Sequence, residues 1–264
     1  MLYITGDIHG DQTIWNTYLL PWLKSGNEIL VAGDFGIGFY GGRYLTEDQF
    51  FDELEKEDIT IYFIDGNHEN FTKLYSYPVI TKNYGKVHQI RKNIFHLMRG
   101  EIYEINRKKI LCFGGGFSLD RDWRALSGPN QNWWKEEMPT EEEYQNLIVN
   151  LKKYENKVDY VITHTAPEET VSYMAKLGLG IKDHVAEEQP LTNFLEYVRS
   201  VIDYKIWYFG HFHVDIGTES QYSLWRNQIG LYDAVRELET GKVVWYRGVM
   251  KTDWKRKIDD IRKK

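Results

Sequence analysis

Short apolar runs separated by amphipathic stretches organise this chain from one end to the other. "LYIT" comes first, then the helix-like "DQTIWNTYLLPWLK", then the apolar run "EILVAG". That alternation predicts an α/β architecture. In "TEDQFFDELEKE", Thr46 and Gln49 have capping-box spacing ahead of an amphipathic stretch, which predicts a helix. The run "TIYFID" follows, and then a β-rich middle. There "FHLMRGEIYEI" alternates and "NRKK" turns into "ILCFGG", so a hairpin is expected. Thr140 and Glu143 form a second capping box, opening the predicted helix "TEEEYQNLIVNLKKY". The runs "VDYVIT" and "KIWYFG" bracket a helical pattern near "LTNFLEYVRSV". Last, "GLYDAVRELETGKVVWYRG" reads as a hairpin turning near Gly241.

Composition narrows the picture. With 264 residues, 42% of them hydrophobic, the chain has material for a large core in one or two domains. No repeat or linker divides it. One unit is expected over residues 1–250, followed by a basic tail over 251–264. That tail holds seven Lys or Arg against three Asp, a surplus of four, which leaves −10 on the rest of a chain whose formal charge is −6. An acidic body disfavours sequence-independent nucleic-acid binding, which needs cations against phosphates. Cys112 is the single cysteine, so no intramolecular disulfide forms, and its apolar setting predicts a core thiol. No leader-like segment opens the sequence and no apolar run reaches the roughly 18 residues of a membrane span. A cytoplasmic location is expected, with no membrane partner.

The chemistry lies where the apolar runs end. "LYIT" leads into "GDIHG" with Asp7 and His9, and "ILVA" into "GDFG" with Asp34. "IYFID" leads into "GNHE" with Asn67, His68 and Glu69, "DYVIT" into "HTAP" with His164, and "IWYF" into "GHFH" with His211 and His213. Open α/β sheets bind ligands at the carboxyl ends of their strands. Of the chain's 8 histidines, five stand at such ends, too many for chance. Imidazole and carboxylate together suit a borderline metal ion.

These residues resemble the signature of the calcineurin-like metallophosphoesterases: D-x-H, then G-D, then G-N-H-[DE], a lone His, and G-H-x-H. All elements occur in order from residue 7 to residue 213. The resemblance implies a four-layer αββα sandwich, two mixed β-sheets flanked by helices, with a dinuclear metal centre at one sheet edge. It implies Asp7, His9 and His213 as ligands of one metal and Asn67, His164 and His211 as ligands of the other. Asp34 would bridge them, and His68 would be a proton donor to the leaving group instead of a ligand. A hydroxide held between the ions would then attack phosphorus. A ligand set of His, Asp and Asn without thiolate suits two divalent ions, Mn²⁺ first, with Fe, Zn²⁺ or Ni²⁺ as alternatives, and the histidines argue against calcium.

One departure stands out. Many relatives continue the second block as G-D-x-x-D-R-G, whereas this chain has "GDFGIGFYGGR", which argues against a serine/threonine protein phosphatase. Arg43 is the nearest arginine on that side. The stretch "GGGFSLDRDWRALSG…NWWKEEMPT" looks like one found in a bacterial and phage-borne branch of the superfamily. Within it, Arg121 and Arg124 are candidates for binding substrate phosphate along with Arg43 and Asn67, because guanidinium matches phosphate geometry. The alternative for Arg121 and Arg124 is pairing with Asp120 and Asp122. Trp133 and Trp134 are expected to pack, with base stacking the alternative. Glu69 is an expected orienter of the site, with Asp11 and Asn70 as weaker candidates. His184 is a minor candidate, while His88 and His96 read as ordinary core or surface residues. The expected activity is hydrolysis of small or nucleotide-like phosphate esters. A nuclease or phosphodiesterase acting on nucleic acid and a non-catalytic scaffold on the same fold are the alternatives.

Overall fold

A computed structural model describes residues 1–40, 45–126, 128, 131–179, 186–216 and 227–247. Arg43, His184 and the basic tail lie outside them. Three strand-like runs become β1 (Leu2–Thr5), β2 (Asn27–Ala32) and β3 (Ile59–Ile64), parallel neighbours with Tyr3 opposite Ile29 and Ile29 opposite Ile61. β4 (Val79–Lys82), β5 (Gly85–Arg91) and β6 (Ile94–Leu97) extend this sheet beyond β3. β12 (Ala234–Glu237) and β13 (Val243–Tyr246) extend it beyond β1 as the expected hairpin, with Gly241 in its turn. A second sheet runs β11 (Gln228–Gly230), β10 (Ile206–Phe209), β9 (Tyr160–Thr163), β8 (Lys108–Phe113), β7 (Ile102–Ile105). Both sheets are mixed.

Strict alternation decides which side each residue takes. Leu2, Ile4, Leu30, Ala32, Tyr62 and Ile64 pack against Ile110, Cys112, Tyr160, Ile162 and Tyr208 of the second sheet. Their neighbours Ile29, Val31, Ile61 and Phe63 pack outward against Phe50, Phe51 and Leu54 of α1 (Glu47–Lys56) and Phe71 and Leu74 of α2 (Phe71–Leu74). On the far side Leu111, Phe113 and Val161 meet Leu147 and Leu151 of α4 (Glu141–Lys153) and Leu191, Leu195 and Val198 of α6 (Gln189–Val201); α3 (Arg121–Ala125) precedes the first of these helices in the chain and α5 (Glu168–Lys176) the second. The result is helix, sheet, sheet, helix. Both sheet faces are buried, which is why the strands read as nearly continuous apolar runs. Cys112 is buried between the sheets. Both capping boxes form: Thr46 Oγ1 accepts from Gln49 N–H and Thr140 Oγ1 from Glu143 N–H, each at 3.3 Å.

Two details differ from the sequence reading. "DQTIWNTYLLPWLK" contributes only a short wide helix, Ile14–Leu19, in which Leu20 N–H reaches back to the Trp15 carbonyl. "FHLMRGEIYEI" is two strands in different sheets, β6 and β7. The chain crosses between sheets at Gly100, whose φ is +79° and where a Cβ would lie 2.7 Å from the Leu147 amide of α4. Among the described residues, no helix is long and apolar enough to cross a membrane.

Candidate metal centre

Five strand ends meet at one edge of the sandwich. β1 delivers Asp7 and His9, β2 Asp34, β3 Asn67 and His68, β9 His164, and β10 His211 and His213. The close approach depends on glycine. At Gly33, which has φ +93°, a Cβ would lie 2.0 Å from His164 Nδ1, and at Gly210 one would lie 2.4 Å from Asp7 Oδ1. His9, Asp34, His211 and His213 all have positive φ, between 48° and 67°. Left-handed backbone costs such residues about 1–3 kcal/mol each, and it clusters where function over-determines geometry.

The side chains form two groups that share Asp34. His9 Nε2 lies 2.9 Å from His213 Nε2, and His213 Nε2 lies 3.2 Å from Asp7 Oδ2. Asn67 Oδ1 lies 3.1 Å from His164 Nε2 and 3.0 Å from His211 Nδ1. Asp34 turns Oδ2 toward His9 at 3.6 Å and Oδ1 toward His164 at 3.3 Å, one oxygen for each group. Ligand atoms about 2.1 Å from a common ion stand roughly 3–3.5 Å apart, so these spacings fit coordination shells. Asp7 Oδ2 is buried with His213 Nε2 as its near neighbour, a carboxylate oxygen with capacity left for a cation. The residues fit divalent metal ions.

Outer contacts fix how these side chains present themselves. His164 Nδ1 donates to the Ala32 carbonyl at 3.0 Å, which leaves Nε2 to face the centre. Asn67 Nδ2 donates to Ser118 Oγ at 3.1 Å, which directs Oδ1 inward. Glu69 is buried and accepts the Gly36 and Ile37 amides at 3.0 and 2.6 Å, so it holds the loop behind Asp34. Burial pushes its carboxyl well above the usual range. Asp11 and Asn70 serve local turns instead, accepting from the amides of Thr13 and Lys73.

Electrostatics match a site meant for cations. Burial opposes charge on His164, but Asp34 and Asp7 outweigh it and raise the ring to about 10. Asp34 is held well below its ordinary value despite its burial, chiefly by His164. The carboxylates that favour a proton on His164 would equally favour a cation, whose binding would displace that proton. Burial takes His68 down to about 4, with Asp34 pulling the other way and Arg124 adding to the fall. The His68 ring also stands close to Asp34 and His9, its nearest nitrogen within 4.8 Å of their ligand atoms.

A family model described as calcineurin-like phosphoesterase matches residues 2–215. The chain belongs to that family. It is therefore a phosphoric ester hydrolase, and among the described residues Asp7, His9 and His213 form a group able to hold a metal. A comparison with curated proteins returns no match.

In this phosphoesterase the two candidate arginines part company. Arg124 is 5% exposed and donates from Nε to the Asn132 carbonyl at 2.8 Å and from Nη1 to Ser118 Oγ at 2.7 Å, with Nη1 also 3.6 Å from Asp120 as the alternative reading expected, while Nη2 is buried without a partner. Arg121 lies further out, over the Trp133 ring at 5.0 Å and 3.9 Å from Asp122. Trp134 is buried and donates to Thr72 Oγ1, in keeping with packing. Sequence reading missed Glu188, which is 5% exposed. One of its oxygens faces His211 Nε2 at 3.2 Å and accepts the Phe117 amide at 3.2 Å. No motif surrounds it, so only the fold reveals it. A carboxylate behind a ligating histidine orients the ring and raises its basicity. Glu188→Gln is expected to weaken metal retention about 10–100-fold in a chelator competition, with the circular dichroism spectrum unchanged.

Proposed function

We propose that the chain hydrolyses small or nucleotide-like phosphate esters using two divalent cations, Mn²⁺ first, held by Asp7, His9 and His213 on one side and Asn67, His164 and His211 on the other. The observation that carries this reading is Asp34, whose two carboxylate oxygens face separate ligand groups. When bound, such a pair lowers the pKa of water and braces both attacking and leaving oxygens.

The remaining work falls to side chains. Asp7 and Asp34 supply two negative charges against four positive ones, so the loaded centre stays cationic and attracts an anionic ester. His68 stands near Asp34; burial favours its neutral ring, and the negative charge of a bound ester would favour the protonated form that gives its proton to the leaving oxygen. Arg124, braced by Ser118 and Asn132, keeps one guanidinium nitrogen unpaired and would give it to substrate phosphate. The acidic body favours a compact ester over duplex DNA.

His68→Ala is expected to keep both metals while slowing turnover about 10²–10⁴-fold. Loss of the metals in that variant would make His68 a ligand. Arg124→Leu should raise KM about tenfold or more with a smaller effect on kcat. A panel of p-nitrophenyl phosphate, its bis-ester and cyclic nucleotides, each assayed with Mn²⁺, Ni²⁺, Zn²⁺ and Mg²⁺, tests the substrate class. Hydrolysis of long DNA in preference to every small ester would overturn it.

A further inference from the structure

Behind the end of β3 lies a cavity of about 240 Å³, lined by Asp65, Tyr75, His88, His96, Arg99 and Glu136 among others. It is separate from the metal ligands, although Asp65 stands two residues before Asn67. Its hydrogen bonds link two histidine rings to one carboxylate. Asp65 Oδ2 takes Arg99 Nε at 2.8 Å and Asp65 Oδ1 faces His96 Nε2 at 3.0 Å. A carboxylate so placed only accepts, so His96 carries a proton on Nε2, and in its neutral form it offers a lone pair at Nδ1. His88 Nδ1, 2.9 Å away, must then be the donor. This leaves the neutral His88 ring with a bare acceptor at Nε2, for which the described residues provide no donor.

His88 is 4% exposed, and Glu136 Oε2 is a buried acceptor without a partner. Charge points the same way: Asp65, Glu136 and Glu143 line the cavity against Arg99 alone, and Arg99 is spent on Asp65 and Glu143. Two unpaired acceptors in an anionic cavity call for a ligand that donates hydrogen bonds and carries positive charge. Two free ligand groups fall short of a metal shell, which takes four or more. Met98 and Met138 give the remaining wall an apolar surface suited to a short carbon stem.

We propose that this cavity binds a small organic cation bearing N–H groups, of the guanidinium or primary ammonium type, held by His88 Nε2 and Glu136. The test titrates methylguanidinium into the full chain while following the histidine ring ¹⁵N signals. Saturable binding that moves the His88 Nε2 signal is expected. Tetramethylammonium has the charge but no N–H, and urea has the N–H but no charge. Each should bind about tenfold or more weakly. Glu136→Gln, at a partly exposed position that spares the core, and His88→Phe, which keeps a flat ring, should each weaken methylguanidinium by about tenfold. Absence of saturable binding to the wild type, equal binding of tetramethylammonium, or wild-type affinity in both folded variants would overturn the proposal. None of these readouts requires metal or turnover, so they stand apart from the phosphoesterase reading.

Discussion

Asp34→Asn is expected to give a folded protein that fails to retain its metals and hydrolyses phosphate esters on the order of 10³-fold more slowly, or worse. The substitution keeps size and shape but removes the single charge that faces both ligand groups, through Oδ2 to His9 and Oδ1 to His164. A neutral amide offers one oxygen and cannot serve two cations. It also takes from His164 the partner that sustains its proton, so that ring should titrate at lower pH in the variant. Asp34→Glu does not rescue, because the space is closed: a Cβ at Gly66 would already lie 2.1 Å from Asp34 Oδ1. Metal analysis of the dialysed variant, with its rate on p-nitrophenyl phosphate, checks this. Full metal content and full rate together would remove Asp34 from the bridging role.

Arg99→Met should destabilise the fold by about 3–5 kcal/mol, the cost of leaving a buried carboxylate uncompensated. Arg99 and Asp65 are 4% and 1% exposed. The guanidinium joins Asp65 to Glu143 of α4 at 3.0 Å and to the Glu136 carbonyl at 2.8 Å, tying the strand end beside the metal centre to a helix in another layer. In a domain of this size the loss corresponds to about 10 °C in Tm. Acid supplies the sign. Burial alone would raise the Asp65 carboxyl, but Arg99 and His96 overcome it and hold the group well below the carboxylate range. Its contribution is therefore present above an unfolded value near 3.9 and fades as pH falls below it. The gap in urea midpoint between wild type and variant should narrow from pH 7 to pH 3. A constant gap would mean that lost packing, and not lost charge, sets the cost.

The candidate site was legible in the sequence because its parts follow a local rule. Each candidate ligand sits just past an apolar run, and strands that share a direction in a sheet bring such ends together. The capping boxes at Thr46 and Thr140 were legible for the same reason, since both partners lie within one turn. What escaped depends on distant contacts. Glu188 and Ser118 reach His211 and Asn67 only through the fold, and neither has a periodic or motif-like neighbourhood. His88 and His96 gave no sign of pairing, because their contact arises from the antiparallel register of β5 with β6. The crossing at Gly100 was hidden by a run whose alternation continues across two sheets.

Metal stoichiometry is the most direct measurement. Protein stripped with chelator, dialysed and reloaded with Mn²⁺ should hold two equivalents per chain by elemental analysis. Phosphate release should appear with loading and vanish again on chelation. A chain that takes up no metal, or that hydrolyses phosphate esters equally well in the presence of excess chelator, would contradict the reading.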